Sequence, residues 1–199
     1  MKALARFAVD IGNSGARLVQ LPEDRQSALP EPIRISWRRD WDEPTQNLSS
    51  FSPKHTPWER YLLPLLEDSE GSQWWISSVQ RAASASLIQA LSKYSNCQIQ
   101  LLDYRSIPLE VDVESPERVG IDRLLAALAA SLWVDERPLL VIQAGSAVTV
   151  DLVQATSESA LTKRWKGKFS GGAILPGVPM MLRLLSSAAD MLPTMAVSE

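Results

Sequence analysis

The sequence has almost none of the residues that build disulfides or zinc sites. Among its 199 residues, Cys97 is the only cysteine and His55 the only histidine. An intramolecular disulfide and a cysteine–histidine zinc cluster are therefore both excluded. Because a lone thiol fits a reducing compartment, we expect a cytoplasmic protein.

Long hydrophobic runs and a strong charge of one sign are also missing. No window approaches the roughly 20 apolar residues that cross a bilayer. The short apolar run near the N-terminus meets Asp10 too soon to form a signal peptide. The net charge is −3 and the basic residues are scattered, which argues against a nucleic-acid-binding surface. We expect neither a membrane nor a nucleic acid as a partner.

The chain does have enough apolar residues for a sizeable core, since 45% of its residues are hydrophobic. Periodicity predicts strands at 5–11, 16–21, 74–79, 98–102, 139–144 and 148–153. It predicts helices at 58–66, interrupted at Pro64, and at 81–94, 119–132 and 178–191, with a loop over 40–56. This alternation of strands and helices predicts an α/β layer structure.

Two of the predicted strand pairs turn on glycine, at Gly12 in the first half and at Gly145 in the second. Each pattern predicts a hairpin. The long interval between the two turns favours two related domains over a solenoid of short repeats.

The first segment that could carry chemistry runs from Asp10 to Arg17. Its glycine turn follows a buried strand and offers backbone N–H groups that can hold phosphate oxygens. Phosphate would repel the Asp10 carboxylate unless a cation lay between them, so Asp10 suits a metal and its water shell. The alternative is an ordinary tight turn.

The second segment is the start of the helix at Asp122 and Arg123. Adjacent residues point in different directions on a helix, so Arg123 need not neutralise Asp122. A carboxylate left free there can accept a proton from a substrate hydroxyl. Alternatively, Asp122 only favours the positive helix end and Arg123 pairs with a surface acid.

Two further segments are rich in small residues. Gly145–Thr149 would let phosphates approach the backbone, with the Ser146 and Thr149 hydroxyls as donors, although hairpins use the same residues. Gly171–Gly177 fits either a flexible wall over a nucleotide or a connector between a strand and a helix.

Taken together, the segments DIGNS at 10–14, GIDR at 120–123, AGSAVTVD at 144–151 and GGAILPG at 171–177 resemble the type III pantothenate kinases. The resemblance covers nearly the whole chain. It implies two duplicated ribonuclease-H-like, or actin-like ATPase, α/β domains at 1–114 and 115–199, the second truncated at its C-terminus, with nucleotide between them. The implied reaction transfers the γ-phosphoryl group of ATP to pantothenate and forms 4′-phosphopantothenate in the first step of coenzyme A biosynthesis. Another kinase of this superfamily, acting on a sugar or acetate, would fit the phosphate loops but not GIDR followed by GGAILPG.

The resemblance also implies roles for individual residues. Asp122 would be the catalytic proton acceptor, and Asp10 would hold magnesium indirectly. The pantothenate pocket would be lined by Gly120, Ile121, Asp122 and Arg123. The ATP phosphates would be bound by Asp10, Ile11, Gly12, Asn13, Ser14, Gly15, Ala16, Arg17 and Ser146. A monovalent cation, potassium or ammonium, and a homodimer formed through the GIDR helix would complete the enzyme, with Trp133 as the expected interface residue.

Three departures from the family pattern bear on activity. Gln143 stands where the family usually has an aspartate that coordinates potassium, and the lost charge should weaken or change the cation requirement. Val113 aligns with a tyrosine that usually contacts pantothenate. The resemblance also implies a C-terminal extension, with a threonine at the pantothenate site, that this sequence does not contain, so that either a partner chain covers the exposed apolar surface or the sequence is a fragment of a longer product. These departures leave open a catalytically degraded, nucleotide-binding or regulatory relative of the same family.

Overall fold

The computed structural model describes residues 4–24, 26–37, 58–66, 71–94, 96–156, 165–178, 180–182 and 184. The chain divides into two compact units, one ending at Asp103 and the other beginning at Tyr104. Each unit contains one sheet with helices, so the predicted α/β class is confirmed. The predicted loop over 40–56 lies outside the described residues.

The first unit is a five-stranded mixed sheet with two helices. Its strands lie in the order β3-β2-β1-β4-β5, with β1, β2 and β3 antiparallel and with β4 and β5 parallel to β1. The elements, in chain order, are β1 (Ala5–Ile11), β2 (Gly15–Leu21), β3 (Ile33–Ser36), α1 (Trp58–Leu66), β4 (Ser72–Ser78), α2 (Arg81–Leu91) and β5 (Cys97–Leu101).

Alternation along β1 separates a core face from a polar face. Phe7, Val9 and Ile11 are buried in the core, and the Phe7 ring stacks on Trp74 of β4 with their centroids 4.3 Å apart. Successive strand residues point to opposite faces, so Asp10 lies on the face away from this core. Burial of these three residues therefore fixes which side chains of β1 face the core. It leaves Asp10, the residue before the last of the strand, on the opposite face.

The second unit is a four-stranded sheet with one long helix. The strand order is β6-β9-β8-β7; β7, β8 and β9 are antiparallel, and β6 runs parallel to β9. The elements are β6 (Glu110–Val111), α3 (Ile121–Trp133), β7 (Leu139–Ala144), β8 (Ala147–Gln154) and β9 (Lys168–Pro176). Helix α3 buries Ile121, Leu124 and Ala127, whose spacing puts them on one face.

Most predicted elements are present, but several expectations are wrong. Pro64 lies inside α1 and does not interrupt it, because burial of Trp58 and Leu62 holds the helix despite the lost hydrogen bond. Helix α2 ends at Leu91 rather than Tyr94, since the backbone N–H of Tyr94 bonds to Leu91 in a tighter turn.

The glycine-rich segment 171–177 is also not a connector. Residues up to Pro176 belong to β9 and pair with β8 along most of its length. The short strands β3 and β6 and the nine-residue strand β9 were not predicted as strands. Beyond β9, the described residues among 178–184 are helical as predicted, and the rest of the helix expected to reach Met191 lies outside the described residues.

The structural division falls after Asp103, whereas the domains expected from the resemblance divide after Glu114. The intervening residues include β6, which pairs with β9 and so belongs to the sheet of the second unit. Among the described residues, no helix is both long enough and apolar enough to cross a bilayer.

Candidate functional site

The first candidate site is the turn between β1 and β2, which Trp37 holds in shape. Within the turn, the Gly12 N–H donates to the Gly15 carbonyl oxygen at 2.8 Å. The Trp37 indole N–H donates to the Gly12 oxygen at 3.0 Å, and the Trp37 backbone N–H donates to the Ser14 oxygen at 3.0 Å. These bonds use carbonyl groups of the turn that would otherwise have to find water.

The predicted phosphate-loop residues differ in what they could offer a ligand. The Ile11 and Ala16 side chains are core residues, 0% and 3% exposed, so they could offer only backbone atoms. Asn13 and Arg17 are exposed. Gly15 is needed for packing, since a Cβ there would lie 2.2 Å from the Ile35 oxygen of β3.

Asp10 is held by a serine that was not predicted from the sequence. The Ser77 hydroxyl donates to Asp10 Oδ1 at 2.8 Å, and the two residues are register partners in the parallel pair β1–β4. Ser77 is only 3% exposed. The signal that could have found it is the Ser77-Ser78 pair that ends β4, although a sequence does not give strand register.

The chemistry of Asp10 fits a magnesium ion that keeps most of its waters. Its second carboxylate oxygen, Oδ2, makes no hydrogen bond with the described residues. The part of the chain that the structure describes contains no group of three or more metal-ligating His, Cys, Asp or Glu side chains. Magnesium commonly uses one or two carboxylates together with substrate phosphates, so a single carboxylate suffices here.

The second candidate site begins at the N-terminus of α3. Asp122 is half-buried in the first helical turn, and its Oδ1 accepts a hydrogen bond from the Arg123 backbone N–H at 2.9 Å. Oδ2 makes no hydrogen bond with the described residues. This geometry suits both open interpretations, helix-end stabilisation and proton acceptance, because the two roles use different oxygens.

Arg123 turns away from Asp122 and pairs with Asp151. Its Nε lies 3.0 Å from Asp151 Oδ1 and 3.2 Å from Oδ2, and its Nη2 also donates to Oδ1. The prediction that Arg123 need not neutralise Asp122 is confirmed. The alternative of a surface acid is wrong, because the Asp151 side chain is 0% exposed.

Asp151 ends the AGSAVTVD motif, but it was not among the site residues predicted from the sequence. A signal was available, since VTVDLV places one carboxylate in an otherwise apolar strand pattern. A buried carboxylate requires a cationic or hydrogen-bonding partner, and Arg123 is that partner.

Two glycines bring β9 against the other motif segments of the second unit. A Cβ on Gly172 would lie 2.6 Å from Asp151 Oδ1, and a Cβ on Gly177 would lie 2.0 Å from the Gly145 oxygen. The Gly177 N–H also donates to the Ser146 oxygen at 3.0 Å. Both close approaches require glycine. The GIDR, AGSAVTVD and GGAILPG segments therefore meet within this unit.

Gln143 lies on β7 beside Thr149, its register partner on β8. The Thr149 hydroxyl is 3.5 Å from Gln143 Oε1, a long and weak contact. The amide oxygen is thus loosely held and could serve as a neutral ligand. Val113 lies beside Gly171, where a Cβ on the glycine would be 3.4 Å from Val113 Cγ1.

Glycine turns at the ends of strands and a helix N-terminus are features with which α/β proteins bind phosphorylated ligands. A sequence profile described as type III pantothenate kinase matches residues 6–199. The chain belongs to the type III pantothenate kinase family.

Individual relatives agree with the family match. A type III pantothenate kinase of Rhodopirellula baltica is 39% identical over 120 residues, which cover 59% of this chain and 40% of that protein. Another, from Sulfurihydrogenibium, is 31% identical over 195 residues, or 97% of this chain and 69% of that protein. A third, from Cupriavidus taiwanensis, is 32% identical over 132 residues, or 63% of this chain and 44% of that protein.

The matches to the Rhodopirellula and Cupriavidus proteins span less than half of those proteins' own length. Among solved structures, the ethanolamine utilization protein EutJ of Carboxydothermus hydrogenoformans aligns with 98% of this chain, over 60% of its own length. It is 14% identical with a TM-score of 0.43, a similarity too weak to establish a shared fold.

Proposed function

We propose that this chain carries out ATP-dependent phosphorylation of pantothenate to 4′-phosphopantothenate, the first step of coenzyme A biosynthesis. Family membership supports the reaction class. The observation that carries the proposal is at Asp122. One of its carboxylate oxygens is free of hydrogen bonds from the described residues, while the adjacent Arg123 charge is taken up by Asp151.

In this proposal, Asp122 orients the primary hydroxyl of pantothenate and accepts its proton. Phosphoryl transfer passes through a loose transition state, so the protein mainly has to align the reactants and balance charge. Gly120 and Ile121 would line the pantothenate pocket. Ile121 is only 6% exposed and would contribute backbone atoms rather than its side chain.

The phosphates of ATP would be bound by the turn from Asp10 to Arg17 and by Ser146. Asp10 Oδ2 would accept hydrogen bonds from water of the magnesium shell while Ser77 holds the other oxygen. When bound, magnesium neutralises charge on the transferring phosphoryl group. Gln143 would face the monovalent cation with one amide oxygen and no charge.

We also propose that the two units are related actin-like ATPase domains. The support is a shared motif: each unit has an antiparallel three-strand meander opened by a glycine turn, β1–β2–β3 and β7–β8–β9. The residue boundary of the functional domains, expected after Glu114, is part of this proposal.

A cytoplasmic homodimer is the proposed state of the enzyme. The support is an apolar cluster at the end of α3, where Leu132 is 58%, Trp133 88% and Val134 41% exposed. Aromatic residues are enriched in interface cores. The mass of the chain in solution, measured by light scattering for the parent and for Trp133→Ser, tests this proposal.

The activity is tested with Asp122→Asn. The parent, supplied with ATP, magnesium, potassium or ammonium, and pantothenate, should form phosphopantothenate, and the variant should not. Asp135→Asn is the matched control because Asp135 is exposed, lies just beyond α3 and has no assigned role. Retained turnover in Asp122→Asn would remove Asp122 from its proposed role.

The second candidate function is a regulatory, nucleotide-binding relative that no longer turns over. The neutral Gln143 and the apolar Val113 favour it, because both remove groups that the family pattern supplies. Calorimetry with each ligand separates the two functions. A kinase should bind ATP and pantothenate, whereas a degraded relative should bind ATP and ignore pantothenate.

A further inference from the structure

We propose that Asp151 is a positioning residue, which fixes the guanidinium of Arg123 for contact with the acceptor substrate. This inference rests on the proposed kinase function, in which Arg123 lines the pantothenate pocket. It assigns a task to a buried carboxylate that the proposed mechanism does not otherwise use.

Two nitrogen atoms of the Arg123 guanidinium contact the Asp151 carboxylate. Asp151 receives N–H donors from both Nε and Nη2 of Arg123, so it occupies one edge of the planar guanidinium. A two-point contact of this kind fixes the plane as well as the position of the group. Nη1 makes no hydrogen bond with the described residues, which leaves its donors for a ligand.

The Arg123–Asp151 pair is largely buried beside residues of the sheet. Asp151 is 0% exposed and the Arg123 side chain 12%. The guanidinium carbon also lies 5.5 Å from the centroid of Phe169, a fully buried residue of β9. Gly172, opposite Asp151 in the β8–β9 register, leaves the space that the carboxylate needs. The carboxylate and the ring therefore both contact the guanidinium, and the glycine leaves room for the carboxylate.

The ion pair also changes what Arg123 can offer a ligand. The buried carboxylate and the guanidinium neutralise each other before any ligand arrives, and a buried charge left without its partner is strongly unfavourable. Arg123 can therefore offer a ligand directional N–H donors rather than an uncompensated charge. An acceptor oxygen of the substrate at the correct angle is the chemistry that such a group recognises.

A purely structural ion pair that holds α3 on the sheet is the competing explanation. The two explanations differ in what removal of the charge does to substrate recognition. A structural pair affects folding and every kinetic parameter together, whereas a positioning residue affects the substrate that Arg123 contacts.

The test compares Asp151→Asn with the parent in steady-state kinetics. We expect the KM for pantothenate to rise about 10- to 100-fold, as for loss of a hydrogen bond to a charged group. The KM for ATP should stay within about twofold. Asp112→Asn is the matched control, since Asp112 is an exposed carboxylate in the same unit that forms an ion pair with Lys168 at 3.3 Å.

A double-mutant cycle shows whether Asp151 acts through Arg123. Arg123→Lys keeps the charge but loses the planar fork. If Asp151 acts through Arg123, the double variant should have the same pantothenate KM as Arg123→Lys alone. Fully additive effects would overturn the inference.

A measurement on the parent keeps the inference testable if Asp151→Asn does not fold. The Arg123 Nε–H signal in a nitrogen–proton NMR spectrum, assigned by its loss in Arg123→Lys, should exchange slowly and remain protected when pantothenate is added. Loss of that protection on binding would show that Arg123 leaves Asp151, and would overturn the inference.

The outcomes also separate this inference from the proposed function. An active parent with an unchanged pantothenate KM in Asp151→Asn overturns the inference alone. A parent that neither phosphorylates nor binds pantothenate overturns the proposed function, and this inference with it.

Discussion

Gly172 of β9 lies directly against Asp151 of β8, so that a Cβ on the glycine would be 2.6 Å from the Asp151 carboxylate oxygen and 2.0 Å from the Val150 backbone oxygen. The backbone of β8 and the buried ion pair therefore share the space that a side chain at position 172 would fill. This contact ties the glycine-rich segment to Arg123, the partner of Asp151.

Gly172→Ala should destabilise the chain by about 1–3 kcal/mol, because the added methyl group overpacks against backbone that cannot move freely. The free energy of unfolding in urea measures this. Gly145→Ala is the matched control, since the nearest atom to its Cβ is 3.9 Å away. Equal stability of the two variants would contradict the close approach.

Ser77→Ala should raise the magnesium concentration needed for half-maximal turnover, because Asp10 loses the hydroxyl that fixes one of its oxygens. Ser84→Ala is the control: Ser84 is also buried in the first unit, but among the described residues its hydroxyl bonds only to the Arg81 oxygen at 3.1 Å. Identical magnesium curves for Ser77→Ala and the parent would mean that the serine does not position Asp10.

Gln143→Asp should increase the dependence of turnover on potassium, since a carboxylate attracts a cation more strongly than a neutral amide. The measurement is a potassium titration at constant ionic strength. Gln143→Asn, which shortens the side chain without adding charge, should not produce the same gain. If the turnover of Gln143→Asp did not depend more strongly on potassium, the cation would bind elsewhere or would not be required.

The surface ion pair between Glu59 and Lys93 predicts a pH dependence of stability. The Lys93 ammonium, 2.6 Å from Glu59 Oε1, lowers the pKa of Glu59 below its ordinary 4.5. The same hydrogen bond to Glu59 raises the pKa of Lys93 above its ordinary 10.5. The ion pair therefore contributes its full stabilisation between pH 4.5 and pH 10.5, the ordinary pKa values of the two groups, and loses it progressively outside that range.

On the acid side, the contribution disappears as the pH falls through the lowered pKa of Glu59; on the alkaline side, it disappears as the pH rises through the raised pKa of Lys93. The measurement compares unfolding of the parent and Glu59→Gln across pH. Their difference should be small, because the side chains are 44% and 62% exposed, and it should shrink in high salt. A difference that persists at low pH would contradict the assignment.

Local patterns were sufficient to predict the elements that pack through a regular apolar face. The alternation of Phe7, Val9 and Ile11 predicted β1, and the apolar spacing along residues 119–132 predicted most of α3. Strands β3 and β6 have four and two residues, too few to show any periodicity, and they exist because a neighbouring strand pairs with them.

The candidate site was predicted as segments rather than as contacts. Motif residues such as Asp10 and Asp122 could be named from their positions beside turns and helix ends. Their partners, Ser77 for Asp10 and Asp151 for Arg123, are set by strand register and helix packing over long sequence separations. The segment with Gly172 was interpreted as either a flexible wall or a connector, because glycine usually indicates a loop, whereas here Gly172 allows close packing within a strand.

The most direct measurement is phosphorus NMR of the chain incubated with ATP, magnesium, potassium and pantothenate. A phosphate-monoester signal from 4′-phosphopantothenate should grow in step with the loss of the ATP γ-phosphate signal. Unchanged ATP, or conversion of ATP to ADP and inorganic phosphate without any ester, would contradict the proposed kinase activity.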